Sequence, residues 1–108
     1  IMNQKDQVRQ WCMEMEGVVE EPHFEKTSFR IKKKIFATVD PAGEKVCVKL
    51  SPEEQSLFGV FDPTIVYPVP NKWGQQGWTL ADLHRIPAET LHDLLMAAYR
   101  EVSKQKGR

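Results

Sequence analysis

Polar and apolar side chains alternate along residues 45–50, and this alternation limits the possible folds more than any other feature of the chain. The six residues in order are Lys45, Val46, Cys47, Val48, Lys49 and Leu50. Successive side chains of a β-strand point to opposite faces, so the segment predicts a strand with one buried face and one solvated face. The chain therefore has to form a sheet that is covered on one side and carries lysines on the other.

The two segments before this strand predict a β-hairpin. Residues 27–31 and 34–39 are rich in β-branched and aromatic side chains and are joined around Lys32 and Lys33, although no Asn-Gly or Gly-Gly marks the turn. Residues 40–43, Asp-Pro-Ala-Gly, form a strong turn signal ahead of the alternating strand. Three antiparallel strands in succession are therefore expected.

Helical patterns surround these strands. A first helix begins after a cap at Asn3 and ends at Gly17, and its apolar stripe consists of Val8, Trp11, Cys12 and Met15. Ser51 and Pro52 begin a short helix as a cap and first residue, with Glu54 completing a capping box and Gly59 as the terminator. A last helix is expected over residues 88–105, and strands over 64–69 and 78–83 with a loop at 71–77 between them.

The predicted order is α-β-β-β-α-β-β-α. This order indicates a two-layer α+β fold, with one antiparallel sheet and helices packed on one face. At 108 residues, the chain is the size of a single domain spanning 1–108.

Composition limits the functional classes. The chain has 15 Lys+Arg and 15 Asp+Glu, so its formal net charge is zero. A nucleic-acid binder of this composition needs a local basic patch, because it has no overall positive field. Two cysteines outside any CxxC pair, a polar N-terminus without a signal peptide, and no apolar run of membrane-spanning length predict a cytoplasmic protein that makes no membrane contact.

Catalytic and metal-binding patterns are missing from the sequence. No nucleotide-binding glycine motif, zinc-protease motif or calcium loop occurs, and no histidine has a second His or Cys at metal-ligand spacing. Glu53 and Glu54 are explained by the helix N-terminus that they occupy. The acids from Glu14 to Glu25 read as a solvated face. We therefore expect no enzymatic activity, no cofactor and no metal.

The sharpest charge feature is the basic run from Lys26 to Lys34, which contains no acid. A basic hairpin tip, or wing, can lie against phosphates while its strands anchor it. A second candidate is the loop at 71–77, where Lys72 precedes Trp73 and can support stacking on bases. The candidate nucleic-acid-binding residues are Arg30, Lys32, Lys33, Lys34, Lys45, Lys49, Lys72 and Trp73. The alternative for the basic run is a solubilising turn and an edge strand guarded by lysines. The alternatives for the tryptophans are core or loop packing for Trp73 and a core position for Trp78.

The chain also resembles the MmcQ/YjbR-like proteins over roughly residues 7–102. The segments that carry the resemblance are Pro22-His23-Phe24, Phe29-Arg30-Ile31, Lys34-Ile35-Phe36-Ala37, Val48 to Glu53, Gly77-Trp78 and the final helix with Ala98-Tyr99. One departure is Ala98, where the family usually has serine. The resemblance implies an α+β domain with an antiparallel sheet in small, bacterial, cytoplasmic proteins. Members are commonly labelled DNA-binding, through a proposed double-wing arrangement of hairpins.

Three functional hypotheses follow. The first is DNA binding through the wing and the Lys72-Trp73 loop, and it requires the candidate lysines to converge on one surface. The second is a protein-interaction domain that uses the exposed sheet face, its edge strands and Trp73. The third is a small-molecule or metal-binding protein, with an enzyme as one form of it, which requires a pocket with convergent polar groups. The target sequence and the oligomeric state do not follow from the sequence.

Overall fold

The computed structural model describes residues 4–104 and contains one six-stranded antiparallel sheet with four helices. The elements in chain order are α1 (Gln4–Glu14), β1 (Val19–His23), β2 (Lys26–Ile31), β3 (Lys34–Val39), β4 (Lys45–Lys49), α2 (Pro52–Phe61), β5 (Val66–Pro68), α3 (Lys72–Gln75), β6 (Trp78–Asp82) and α4 (Ala88–Ser103). The predicted α+β class with one antiparallel sheet is confirmed. None of the helices within residues 4–104 is both long and apolar enough to span a membrane.

The strand order in the sheet is β1-β2-β3-β4-β6-β5, with every neighbouring pair antiparallel. The β4 strand lies inside the sheet between β3 and β6, although β4 ends at Lys49 and β6 begins only at Trp78. This placement brings the loop before β6 close to the middle of the sheet. The edges are β1 and β5, and each contains a proline, as suits strands with one unpaired side.

One face of the sheet, the covered face, packs against helix α4. Its β4 residues Val46 and Val48 are fully buried, as the alternating pattern predicts. Helix α4 contacts β2, β3 and β4, and α1 contacts α4. The buried residues of α4 lie on one stripe of the helix and complete the core: Leu91, Leu94, Leu95, Ala97, Ala98 and Val102.

The β2–β3 hairpin forms as predicted, with a turn that its sequence does not mark. Lys32 and Lys33 both have positive φ, +55° and +69°, which is the backbone pattern of a type I′ turn. The register shifts between Phe29 and Arg30, so Ala37 faces Phe29 while Ile35 faces Arg30. Phe36 is the extra residue of this bulge and is fully buried.

Several boundaries differ from the sequence prediction. The acidic stretch contains the additional strand β1, whose Glu20 accepts a bond from Arg9 Nε at 2.7 Å and whose Glu21 lies 3.8 Å from Arg30 Nε. Helix α2 continues past Gly59 to Phe61, and the chain leaves it before Pro63. The loop 71–77 contains the short helix α3, and β5 is shorter than predicted. The predicted cap Asn3 and the predicted helix end at Gln105 lie outside the described residues.

Candidate functional site

The second face of the sheet, the open face, contains the alternate residues of the same strands. A row of register partners crosses its centre: Thr38 on β3, Cys47 on β4 and Leu80 on β6. Above this row, Lys49 pairs with Trp78. The open face is therefore not only a solvated surface, because three of its five named residues have apolar or thiol side chains.

A groove of about 450 Å³ lies on this face. Its volume is within the usual range for small-ligand sites, about 300–1,000 Å³. The lining residues are His23, Lys26, Ile35, Thr38, Cys47, Val69, Trp73, Trp78 and Leu80. Most of the lining is apolar, so the groove suits a flat or apolar group with polar contacts at its rim.

The α3 segment places Trp73 in the wall of the groove. Asn71 caps α3 by accepting a hydrogen bond from the Trp73 backbone N–H at 2.8 Å. Gly74 and Gly77 allow the segment to lie close to the sheet, because a Cβ at either position would come within 2.0 Å or 1.9 Å of the carbonyl oxygen of Val69 or Leu50 respectively. Trp73 remains 51% exposed, so its indole ring is accessible for contact.

Gln55 holds the same segment from α2. Its side-chain Nε2 donates to the backbone oxygen of Gly74 at 2.9 Å, to that of Trp78 at 3.2 Å and to Thr79 Oγ1 at 3.1 Å. These bonds connect α2 to both ends of the segment between α3 and β6. Gln55 is therefore a positioning residue for Trp73, and its place within an ordinary short helix gave no sequence signal for this role.

Positive charge predominates among the strand residues of the open face. Its cations and acids, taken from the register of the five longer strands, are Lys26, Arg30, Lys45 and Lys49 against Glu21 and Asp82. Lys45 Nζ lies 5.6 Å from the centre of the Tyr67 ring. A hydrogen bond with the Tyr67 side chain is the main cause that raises the pKa of Lys45. Lys45 is therefore cationic at neutral pH.

Burial and a nearby cation shift the pKa of the Cys47 thiol, in the floor of the groove, in opposite directions. Burial raises the pKa of Cys47 to about 11, and the charge of Lys26 acts to lower it. Lys26 lines the same groove as Cys47, which is why its charge acts on this thiol. The thiol is protonated at neutral pH, so Cys47 contributes an apolar surface and not a nucleophile.

The predicted site residues fall into separate groups. Arg30, Lys45 and Lys49 lie on the open face, and Trp73 lines its groove. Arg30 Nε also donates to Ser28 Oγ at 3.0 Å. Lys72, the residue before Trp73, is exposed at the start of α3.

The three lysines at the β2–β3 turn, Lys32, Lys33 and Lys34, do not line the groove. Lys32 Nζ donates to the backbone oxygen of Ser103 at 3.3 Å, at the end of α4. Lys34 pairs with Ile31, whose side chain is buried on the covered face, and Lys33 is exposed at the tip. The candidate cations therefore do not form one continuous patch.

The groove includes several residues that the sequence interpretation did not assign to the site. These residues are His23, Lys26, Ile35, Cys47 and Leu80, and Trp78 lines the groove instead of the core. A signal for them exists in β3 and β6, where apolar side chains occupy both faces: Ile35 beside Phe36, and Leu80 beside Ala81. A strand that is apolar on both faces indicates that something covers each of them.

Comparison with known proteins identifies the family of this domain. The YjbR family model matches residues 13–101. The chain belongs to the YjbR family. Among solved structures, the crystal structure of Deinococcus radiodurans protein DR2400, with domain DUF419, is similar to this YjbR protein with a TM-score of 0.79 and 25% identity, covering 95% of this chain and 80% of that chain. Among curated proteins, no match to the chain was found.

The match confirms the family resemblance seen in the sequence. It includes the β1–β2 turn, the basic β2–β3 turn, the β4 strand and the Trp73 segment, since all of them fall within residues 13–101. The elements that build the groove are thus part of the YjbR domain itself.

Proposed function

We propose that this YjbR protein binds nucleic acid through the open face of its sheet, without a catalytic step. The observation that carries the proposal is the accessible indole ring of Trp73 beside a face with an excess of cations. Cations hold the phosphate backbone, and an accessible aromatic ring supplies stacking that tolerates any base. DNA is the nucleic acid with which the proposal is tested first.

The candidate lysines do not converge on one surface, so the contact through the β2–β3 wing loses its basis, and we place the proposed contact on the open face instead. Lys45 and Lys49 lie on either side of Cys47 on the open face of β4, with Lys49 Nζ 3.5 Å from the Leu50 carbonyl oxygen, whereas Lys32 extends to the end of α4. We assign the main phosphate contacts to Lys26, Arg30, Lys45 and Lys49. The turn residues Lys32, Lys33 and Lys34, together with Lys72, then act as peripheral charges.

Fluorescence anisotropy with a labelled oligonucleotide tests the proposal. If four cations each neutralise one phosphate, affinity falls about 50- to 150-fold between 50 and 200 mM salt, from slopes of roughly −0.7 and −0.9 per phosphate for single strands and duplexes. Absence of binding to DNA or RNA at 50 mM salt, or an affinity that salt leaves unchanged, would overturn the proposal.

Matched charge variants locate the contact. The double variant Lys45→Gln/Lys49→Gln removes two cations from the open face, and Lys32→Gln/Lys33→Gln removes two from the turn. We expect the first variant to weaken binding by tenfold or more and to flatten the salt dependence, and the second to weaken it by about threefold. The reverse order would show that the turn is the main contact and that the open face is not.

A protein partner is the second candidate, and α2 is the feature that favours it. No residue of α2 is buried, and Leu57, Val60 and Phe61 are 70%, 81% and 50% exposed. Apolar side chains grouped on one short helix are typical of contact surfaces. Capture of partners from a lysate that has been treated with nuclease tests this candidate, with Leu57→Ser/Val60→Ser as the variant expected to lose them.

A further inference from the structure

We propose that the groove receives one unpaired base, so that the nucleic acid bound by this protein is single-stranded. This inference rests on the proposed function and names the class of nucleic acid that the protein binds. The juxtaposition that carries it is an apolar groove lined by Trp73 and Trp78 on the β6 side and by Lys26 on β2, with β3 and β4 between these strands.

The walls of the groove match the faces of a base. Trp73 and Trp78 provide aromatic surface, and Ile35, Leu80 and Val69 provide aliphatic surface around them. A nucleobase is flat, weakly polar on its faces and hydrogen-bonding only at its edges. Aromatic platforms of this kind stabilise single strands because each base offers the same type of face.

A paired base cannot use such a site. Within a duplex the faces of each base are covered by neighbouring base pairs, and only the edges are accessible in the grooves. The floor of the groove is formed by Thr38, Cys47 and Leu80, which are register partners on three neighbouring strands. A base has to leave its stack to reach this floor, which favours strands whose bases are already free.

The charges around the groove match the rest of a nucleotide. Lys26 and His23 lie at the β1–β2 end of the groove, and Lys49 lies beside Trp78 in the register of the sheet. A base inside the groove then has cations available at two sides for the phosphates that precede and follow it. This arrangement favours a nucleotide within a strand over a free nucleotide, because a free nucleotide carries phosphate on one side only.

The experiment compares three probes at the same salt concentration: a labelled single strand of twelve thymidines, a duplex of equal length, and free thymidine monophosphate as competitor. We expect the single strand to bind at least tenfold more tightly than the duplex. We expect the mononucleotide to compete only at concentrations far above the dissociation constant of the strand. Binding of the strand should also quench tryptophan fluorescence.

Two aromatic variants provide a matched pair. Trp73→Ala removes a ring that is 51% exposed at the groove, and Phe61→Ala removes a ring that is 50% exposed on α2. Loss of one stacking platform should weaken single-strand binding about tenfold. Trp73→Phe should restore most of the affinity, and Phe61→Ala should leave it unchanged. Urea unfolding of each variant checks that the fold is intact.

A charge variant tests the same groove without changing the packing of the segment that contains Trp73. Lys26 is exposed at the start of β2, so Lys26→Gln should fold normally. We expect this variant to reduce the salt slope for the single strand by about 0.7, the value for one phosphate contact. An unchanged slope would contradict the assignment of Lys26 to phosphate.

The outcomes separate the two proposals. Equal or tighter binding of the duplex, or single-strand binding that Trp73→Ala leaves unchanged, overturns base insertion while the nucleic-acid proposal stands. Competition by the mononucleotide at the dissociation constant of the strand would assign the groove to free nucleotides and overturn the single-strand inference. Failure of every probe to bind at low salt overturns both proposals.

Discussion

The covered face and the open face alternate along the same strands, but their side chains are held to different degrees. On β4, Val46 and Val48 are completely buried under α4, whereas Cys47 between them is only partly covered. The covered face is completed by helices of the same chain, so its geometry is fixed by packing. The open face contains the groove, whose lining includes Trp73 from α3 and side chains of the strands.

This difference indicates that the covered face determines the stability of the domain and that the open face is the one available for binding. Residues on the covered face stabilise the fold through complementary packing, and their removal leaves cavities. Most residues of the groove are partly solvated, so their removal changes a surface more than a core. Substitutions on the two faces should therefore separate unfolding free energy from affinity.

The largest expected effect is the loss of Phe36. Its ring is fully buried and meets the Tyr99 ring edge to face with centroids 5.7 Å apart. Phe36→Ala should lower the free energy of unfolding by about 3–5 kcal/mol, whereas Trp73→Ala should lower it by about 1 kcal/mol or less. Urea unfolding monitored by circular dichroism measures both. Similar losses for the two variants would remove the distinction between the faces.

Local patterns predict the covered face well. The β4 alternation predicts which residues are buried, and Ser51 caps α2 as expected, with the Glu54 backbone N–H donating to its hydroxyl at 3.1 Å. Both features depend on neighbours within a few residues. The strand β1 was missed because its Val-Glu-Glu-Pro-His sequence has little strand character and depends on pairing with β2.

The groove could not be predicted from local patterns, because it joins residues that are distant in sequence. Ile35, Cys47 and Trp73 meet only because β6 pairs with β4 and brings α3 over the sheet. Lys32 could not be placed either, since its contact with the Ser103 carbonyl depends on where α4 ends. The apolar residues on both faces of β3 and β6 were the one available signal.

The second prediction concerns Cys47 and alkaline pH. Burial raises the pKa of this thiol to about 11 from the ordinary value of 9.0. The folded protein then keeps the thiol proton that the unfolded chain loses above pH 9. This contribution to stability is complete below pH 9 and declines as the pH rises towards 11, by up to about 2 kcal/mol.

The variant Cys47→Ala isolates this effect. The difference in unfolding free energy between wild type and variant should be constant from pH 7 to 9 and should then shift in favour of the variant. Urea unfolding at pH 8, 9.5 and 10.5 measures it. A difference that stays constant across this range would show that the open face leaves Cys47 solvated.

A smaller effect is expected from Gln55, which connects α2 to the Trp73 segment. Gln55→Ala removes the donor for the carbonyl oxygens of Gly74 and Trp78, and should lower the free energy of unfolding by about 1–2 kcal/mol. The loosened segment should also bind single strands less tightly. Gln76→Ala, at an exposed glutamine of the same segment, is the control. An unchanged affinity would show that Trp73 is positioned without Gln55.

The smallest effect, and the only gain in stability, is expected at the β1–β2 turn beside the groove. Phe24 has a positive φ of +59° and is 93% exposed, so a bulky residue occupies a backbone conformation that asparagine tolerates better. Phe24→Asn should raise the free energy of unfolding by about 0.5–1 kcal/mol in urea. Glu25→Asn, the neighbouring substitution without a positive φ, should change it little. A loss of stability in Phe24→Asn would instead mean that the edge contact between the Phe24 and His23 rings, whose centroids are 4.8 Å apart, outweighs the backbone strain. The rim of the groove would then be held by packing, as the covered face is.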